Sequence, residues 1–364
     1  MTFELSFPGL GINGWNINSV AFSIGENFSV MWYGVVIALG MLMAITYAAY
    51  RCKQQGIKVD DLIDIAIFTI FFGVIGARLY YVAFNPTNFK TIGDVLNLRT
   101  GGLAIYGGVI AGAITIVIVC LVKKISWRKL FDAAGPGVMI AQAMGRWGNF
   151  FNGEAYGSVT TLPWRMCSPK FARELLRNET ALINQEQYQQ ILDGTLGVHP
   201  TFLYESLWNV LGFILINIFF KKKKFDGQIA LYYFAWYGFG RMFIEGLRTD
   251  SLYVPGTGIR ISQMLGLVLL IASVITLVVG FVLTAKKKMP AVFTPYFIPD
   301  IKAFREEQKR IEAERVAAKK AARAAKPLPE EPEEPEEPEE PEEPEEPEEP
   351  EEPEHEEEEH GDHH

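Results

Sequence analysis

Histidine is almost absent from the body of this 364-residue chain: His199 stands alone, and the other four lie beyond residue 354. A metal site built from several histidines is therefore excluded. Cysteine is nearly as scarce. Cys52, Cys120 and Cys167 show no CxxC or metal spacing, and an odd count leaves at least one thiol unpaired. Cys52 and Cys120 fall in or beside apolar runs, where a free thiol packs as a small hydrophobe. The first 28 residues lack a basic segment and a small-residue cleavage site, so no removable signal peptide is expected. No Ser-His-Asp set, P-loop or metal cage can be assembled, which points away from a hydrolase with a covalent intermediate. Lys and Arg are missing altogether from residue 330 onward, where 22 acids stand. The preceding part carries 34 basic and 21 acidic groups, a net charge of +13, so the overall −9 describes neither part.

What the chain does have is apolar length. Hydrophobic residues make up 49% of it, and they gather in seven windows near 29–50, 62–84, 103–122, 131–151, 202–220, 228–246 and 262–285. Each is close to the roughly 20 residues that a helix needs to cross a bilayer. The fourth is the weakest, being interrupted by Asp132, Gln142 and Arg146. Short loops rich in Lys and Arg mark the cytosolic side. Such loops follow the first window (Arg51, Lys53, Lys58), the third (Lys123, Lys124, Arg128, Lys129), the fifth (221–224) and the seventh (286–288). The alternation predicts an all-α, polytopic membrane protein of about seven spans, with its N-terminus outside and its C-terminus in the cytosol. Residues 1–289 form the expected membrane domain, with an external arm at about 158–198 that includes an amphipathic stretch near 171–192. Residues 290–328 read as a charged cytosolic helix. The Glu-Glu-Pro repeats within 329–364 predict a disordered tail, because proline recurs every third residue and like charges repel.

A charge inside a span costs roughly 2.5–3.5 kcal/mol on insertion scales, so each one calls for a reason. Arg78 lies in GARLYYVAFN near the outer end of the second span. The fourth ends in GRWGNFFNGEAYG, which brings Arg146, Asn149, Asn152, Glu154 and Gly157 to the same boundary. The fifth opens with His199, Tyr204 and Glu205 in HPTFLYES, and the sixth ends with Tyr237, Arg241, Glu245 and Arg248 in YGFGRMFIEGLR. RTGGLAIYGG leads into the third span and places Tyr106 one turn inside; Trp32 and Tyr33 open the first. Bland accounts exist for several of these. Arg78 would snorkel to headgroups or pair with Glu245, Arg241 and Glu245 would form an i,i+4 ion pair, Arg248 would anchor at the interface, and Trp32 and Tyr33 would belong to an aromatic belt. Arg146 is harder to account for in that way, because the glycines around it let a backbone approach a ligand closely. Arginine presents a planar fork of donors that matches phosphate, and the abundant phosphates at this depth are phospholipid headgroups. Arg146 and Arg241 from different helices would clamp such a phosphate as it leaves. A transporter of an anionic solute is a second reading of the same arginines, although the polar groups concentrate on one side and no internal repeat stands out.

GRWGNFFNGEAYG resembles the signature of bacterial prolipoprotein diacylglyceryl transferases, and GGLAIYGG, HPTFLYES and YGFGRMFIEGLR resemble further blocks of that family in the expected order. The resemblance covers roughly residues 20–285. It implies a seven-span fold in the cytoplasmic membrane, with an outward-facing cavity open to lipid. It implies transfer of the diacylglyceryl group of phosphatidylglycerol to the lipobox cysteine of a prolipoprotein signal peptide, with release of glycerol phosphate. Neither metal nor cofactor is implied, and no nucleic-acid partner is expected. Arg146 corresponds to the family's phosphate-binding arginine and Arg241 to its second essential arginine; Asn149, Glu154 and Gly157 fall on the rest of the signature, and Tyr33 and Tyr237 on functional tyrosines. Glu245, Arg248 and His199 complete the expected lipid-binding set. Many members have a histidine, a proposed base, where this chain has Tyr106. A phenol with an ordinary pKa near 10 is a poor base at neutral pH, which leaves Tyr106, Glu154 and His199 as candidates to take the thiol's proton.

Overall fold

A computed structural model describes residues 2–25, 28–89, 91–98, 101–177, 182–254 and 256–286, together with 310, 313–314 and 316–318. Seven long helices dominate it: α1 (Trp32–Gln54), α2 (Val59–Phe84), α4 (Ile105–Val122), α5 (Trp127–Asn152), α8 (Thr201–Phe220), α9 (Gln228–Leu247) and α10 (Ile261–Ala285). They match the seven apolar windows to within a few residues at each end. At 1.5 Å per residue they are about 27–39 Å long. Five of them, α1, α2, α4, α8 and α10, are long and apolar enough to cross a membrane. The other two, α5 and α9, carry the interior polar residues. Helix α5 packs against α1, α8 and α9, α2 pairs with α4, and α9 with α10.

Small residues set these approaches. A Cβ added at Gly107 on α4 would lie 2.4 Å from the Gly76 carbonyl oxygen on α2, and one added at Gly238 on α9 would lie 2.4 Å from that of Gly266 on α10. Helices that meet within lipid gain little from hydrophobic exclusion, so close backbone contact of this kind is what holds them.

Cross-helix contacts show which helix ends share a side. The start of α1 lies against the end of α5, where Tyr33 covers Gly148. The end of α5 meets the start of α8 through Arg146 and Glu205, and Glu205 also meets Arg241 near the end of α9. Tyr106 at the start of α4 bonds Ser262 at the start of α10. At the opposite end, Lys123 holds Asp61 and Asp64, while the fully buried Lys223 Nζ reaches Asp132 at 2.8 Å and Gln55 at 2.8 Å. The second Asp132 oxygen accepts from the Ala230 amide, and the first also accepts from the Gly227 amide, so a carboxylate from α5 caps the start of α9. Cys52 and Cys120 are free and buried in one small apolar cluster near that end, as the sequence predicts.

The arginine-bearing end is covered by a cap that is not all helical. Two hairpins precede α1: β1 (Thr2–Phe7) with β2 (Ile12–Asn18), and β3 (Val20–Ile24) with β4 (Phe28–Met31). The segment expected as an external arm contains β5 (Val159–Thr160), the short helices α6 (Pro169–Arg177) and α7 (Gln185–Leu192), and β6 (Gly197–Val198). Ser6 and Cys167 exchange backbone hydrogen bonds, which ties the first hairpin to the arm. Leu5, Ile17, Phe150, Phe171, Ile191 and Val198 share one core, so hairpin, arm and the end of α5 are one packed unit. Expecting an all-α chain therefore describes the bundle and leaves out three two-stranded sheets. Positions 310, 313–314 and 316–318 are helical within the expected charged helix; the rest of that segment and the acidic tail lie outside the described residues.

Candidate active site

The site is assembled where α5 stops. Gly153 (φ +61°) ends the helix in the left-handed region, and Ala155 (φ +56°) adopts the same conformation without glycine's freedom. A non-glycine residue there is uncommon and strained. The double turn folds Glu154 back toward the helix, where its Oε1 accepts from Asn149 Nδ2 at 2.9 Å and Asn152 Nδ2 at 3.3 Å. Arg146, one turn below Asn149, donates to Asn149 Oδ1 at 3.3 Å.

Glu205, on the second turn of α8, stands at the centre of the charge cluster and is 4% exposed. Its Oε2 receives Arg146 Nε at 3.0 Å and Arg241 Nη1 at 3.2 Å, and its Oε1 receives Arg248 Nη1 at 3.5 Å. Arg241 also pairs with Glu245 one turn on, so the ion pair anticipated from spacing alone is present, and it is one arm of a larger network. Arg248 grips Asp250 with both Nε (2.9 Å) and Nη2 (2.8 Å). Burial opposes ionisation of Asp250, but the Arg248 contacts prevail and hold its pKa below the ordinary carboxylate value. Burial likewise works against the Arg248 cation, and the Asp250 hydrogen bond more than offsets it. Arg248 is thus built into the network, in place of the interfacial anchor that its position outside the span predicts.

The remaining candidates lie at the same end of the bundle, each with contacts of its own. Tyr33 lies across Gly148; a Cβ there would come within 2.8 Å of the ring. Tyr237 is one turn before Arg241 on the same face of α9, stacked with Tyr233 at 6.1 Å. Gly157 has no room for a side chain, because a Cβ would lie 2.7 Å from His199 Cβ and 3.0 Å from the Leu247 carbonyl oxygen. Its amide bonds the His199 carbonyl at 2.9 Å just before α8, and the next amide, of Ser158, bonds the Leu247 carbonyl at the end of α9 at 2.7 Å. His199 belongs to a separate chain: Nδ1 meets Tyr204 Oη at 3.2 Å, and Trp164 Nε1 donates to that same hydroxyl at 2.7 Å. Tyr106 Oη lies 3.0 Å from Ser262 Oγ. The thiol of the arm, Cys167, is pushed up to about 11 by burial and donates to the Leu196 carbonyl.

Arg78 falls outside this constellation. Its guanidinium bonds five carbonyls, those of Asp94, Val95, Asn97, Gly101 and Gly102, at 2.6–3.0 Å. The suggested pairing with Glu245 is not made; Arg78 caps α3 (Ile92–Leu96) and holds the loop that leads to Tyr106. One cavity adjoins the site and a larger one lies away from it. A polar cleft of about 270 Å³ between α6, Glu154 and Asp250 opens beside it. An apolar groove of about 540 Å³ runs between α8 and α9 along Phe219, Tyr232, Trp236 and Phe239. At 100° per residue those α9 positions face away from Arg241, so the larger groove is not part of the charged site.

The family model for prolipoprotein diacylglyceryl transferase matches residues 19–279. This chain belongs to that family. It is 40% identical over 261 residues to the phosphatidylglycerol–prolipoprotein diacylglyceryl transferase of Finegoldia magna, covering 71% of this chain and 94% of the relative. Against transferase 1 of Clostridium perfringens the identity is 39% over 279 residues, 76% of this chain and 99% of the relative. The enzyme of Streptococcus equi subsp. equi is 41% identical over 263 residues, 71% and 93%. The transporter reading finds no support among these relatives. Membership makes the chain an enzyme of the transferase class, and the matched region contains all the residues of the arginine network.

Sequence reasoning noted Glu205 among the boundary charges without giving it a site role, and it did not name Asp250 at all. Glu205 was visible as a carboxylate within an apolar window, where the insertion cost alone demands a partner. Asp250 carried no such signal, because it lies in a loop.

Proposed function

We propose that this chain transfers the diacylglyceryl group of phosphatidylglycerol to the thiol of the lipobox cysteine of a prolipoprotein, and releases glycerol phosphate. In this reading all seven long helices span the bacterial cytoplasmic membrane, the N-terminus and the capped end lie outside, and the C-terminus is cytosolic. The alternation of basic loops supports that orientation, and the relatives' names support the substrates. The observation that carries the site assignment is the convergence of Arg146 and Arg241, from two helices, on one nearly buried carboxylate.

The chemistry follows from charge. The cysteine sulfur bonds the glyceryl carbon, the carbon–oxygen bond to phosphate breaks, and its electrons stay on the phosphate oxygen. The thiol's proton departs, and the phosphate goes from a diester monoanion to a monoester with one more negative charge. Arginine forks placed on that oxygen stabilise the charge as it develops, which is where fixed donors accelerate a reaction most. Arg146 has its Nε on Glu205 and one Nη on Asn149, which leaves further donors on a partly exposed guanidinium. Glu154, oriented by two amides, is the group that receives the proton in this reading, and Tyr106, held by Ser262, has an orienting role. Cationic neighbours favour the thiolate by themselves, since a cysteine starts near pKa 8.5 and falls beside arginine.

The test is direct. Purified protein with phosphatidylglycerol and a lipobox peptide should yield a peptide heavier by one diacylglyceryl group, read by mass spectrometry, and free glycerol phosphate. Phosphatidylethanolamine in place of the donor serves as the control. A peptide of unchanged mass with either lipid would refute the reading.

A further inference from the structure

We infer that Glu205 is a built-in competitor for the phosphate, a carboxylate that holds the clamp arginines and displaces the glycerol phosphate product from them. The inference rests on the clamp reading above. Among the described residues, Glu205 is the one carboxylate that reaches Arg146, Arg241 and Arg248 together. It is fixed on a long helix and nearly buried, so it cannot swing clear of the arginines. Glu245 and Asp250 each serve one arginine, at the edges of the cluster. Three guanidinium groups are thereby matched by three carboxylates.

That balance has a consequence for turnover. Without Glu205 the cluster carries a net positive charge, and a phosphate binds it strongly. The reaction adds a negative charge to the phosphate, so the monoester product gains more from the arginines than the diester substrate does. Binding that favours product over transition state slows release and lowers the rate. A fixed carboxylate sharing Arg146 and Arg241 weakens the hold on both anions, and most on the one with the higher charge. Glu205 is in this account a positioning residue that acts through the arginines and touches no reacting atom.

Glycerol phosphate binding to the purified full chain, measured by calorimetry, separates this role from simple scaffolding. Glu205→Gln should bind glycerol phosphate about tenfold more tightly than wild type, a change of about 1.4 kcal/mol. In the transfer assay the same variant should show a lower KM for phosphatidylglycerol and a kcat reduced by a similar factor, with a first turnover faster than those that follow. Glu205→Asp keeps the charge and withdraws it by one methylene, so it should tighten product binding by about threefold. This second variant also keeps the test open if the glutamine form does not accumulate. Glycerol phosphate binding that is unchanged or weaker in both variants would overturn the inference, and so would a raised KM with an unchanged kcat. Wild-type protein that transfers nothing would instead overturn the proposed function, while the binding measurement still decides the role of Glu205.

Discussion

Arg78 and Arg146 stand at the same end of the bundle, each on a long helix and each close to glycine in the sequence. Arg78 directs all five of its N–H donors to five backbone carbonyls and is 5% exposed. Arg146 touches one carboxylate and one amide, and its side chain is 22% exposed. A guanidinium surrounded by carbonyls has no donor left for an anion and serves the fold. One that shares a carboxylate with two other arginines, beside a cleft, keeps donors to offer an anion. The same contrast separates the two ends of the bundle. Lys223 and Asp132 are sealed from solvent and consumed in capping α9, whereas the arginine cluster keeps partial access to the outside.

Replacing arginines on either side of this comparison should give opposite phenotypes. Arg146→Ala and Arg241→Ala are expected to insert and accumulate but to lose transfer by more than about a hundredfold, since each removes charge-assisted contacts to a developing anion. Arg146→Lys should fail as well, because an ammonium group cannot reproduce the fork. Arg78→Ala should reduce the amount of folded protein instead, with activity per folded molecule nearly retained. The measurement is transfer rate normalised to the folded fraction in detergent. Near-normal turnover in Arg146→Ala would erase the distinction.

At the opposite end, Lys223→Met should destabilise the protein by about 3–5 kcal/mol, because it leaves the Asp132 carboxylate buried without its cation. Lys223→Met combined with Asp132→Asn should recover part of the loss, since the asparagine oxygen can still accept from an α9 amide. Thermal unfolding in detergent checks both. A single variant as stable as wild type would show that this pair contributes nothing to holding α5 and α9 together.

Much of the bundle could be read from apolar length, because lipid demands about 20 apolar residues per helix and leaves little choice. Even α5 was placed, despite Asp132, Gln142 and Arg146. The N-terminal hairpins were not. Their strands are four to seven residues long and keep Ile12, Trp15, Phe22 and Ile24 exposed, so alternation of burial, the usual strand signal, is weak. For the site, spacing along one helix was informative: Arg241 with Glu245, and Arg146 with Asn149. Partners on different helices were not legible, because nothing in HPTFLYES says that Glu205 meets arginines from α5 and α9. Arg78 was ambiguous for the same reason, as its five acceptors are backbone carbonyls, which any residue carries and no side chain announces.

Tyr106 tests the comparison at smaller amplitude, since its hydroxyl links α4 to α10 through Ser262. If that hydroxyl orients a substrate or the helices, Tyr106→Phe should slow transfer by roughly two- to tenfold, the range of one neutral hydrogen bond. Loss of a general base would cost about 100- to 10,000-fold. The orienting role is the one expected, and Tyr106→His should be tolerated. Product formation against pH for both variants discriminates between the two.

The smallest effect concerns His199. Burial holds it below the ordinary histidine value, so at neutral pH the folded protein keeps it uncharged. The unfolded chain takes up that proton near pH 6.5, and the folded chain does so only at lower pH. Between those two points the unfolded state binds more protons, so stability must fall as the pH drops through the window and return above it. Partial exposure limits the size, and a Tm decrease of about 2 °C on going from pH 7.5 to 5.5 is expected from this residue. His199→Gln should remove that part of the pH dependence while keeping a partner for Tyr204. Transfer at neutral pH should change by less than about threefold, because the ring is engaged with Tyr204 and Trp164 and not with the arginine network. A hundredfold loss of transfer in His199→Gln, with stability intact, would instead make His199 the proton acceptor and move the catalytic base from the α5 turn to the start of α8.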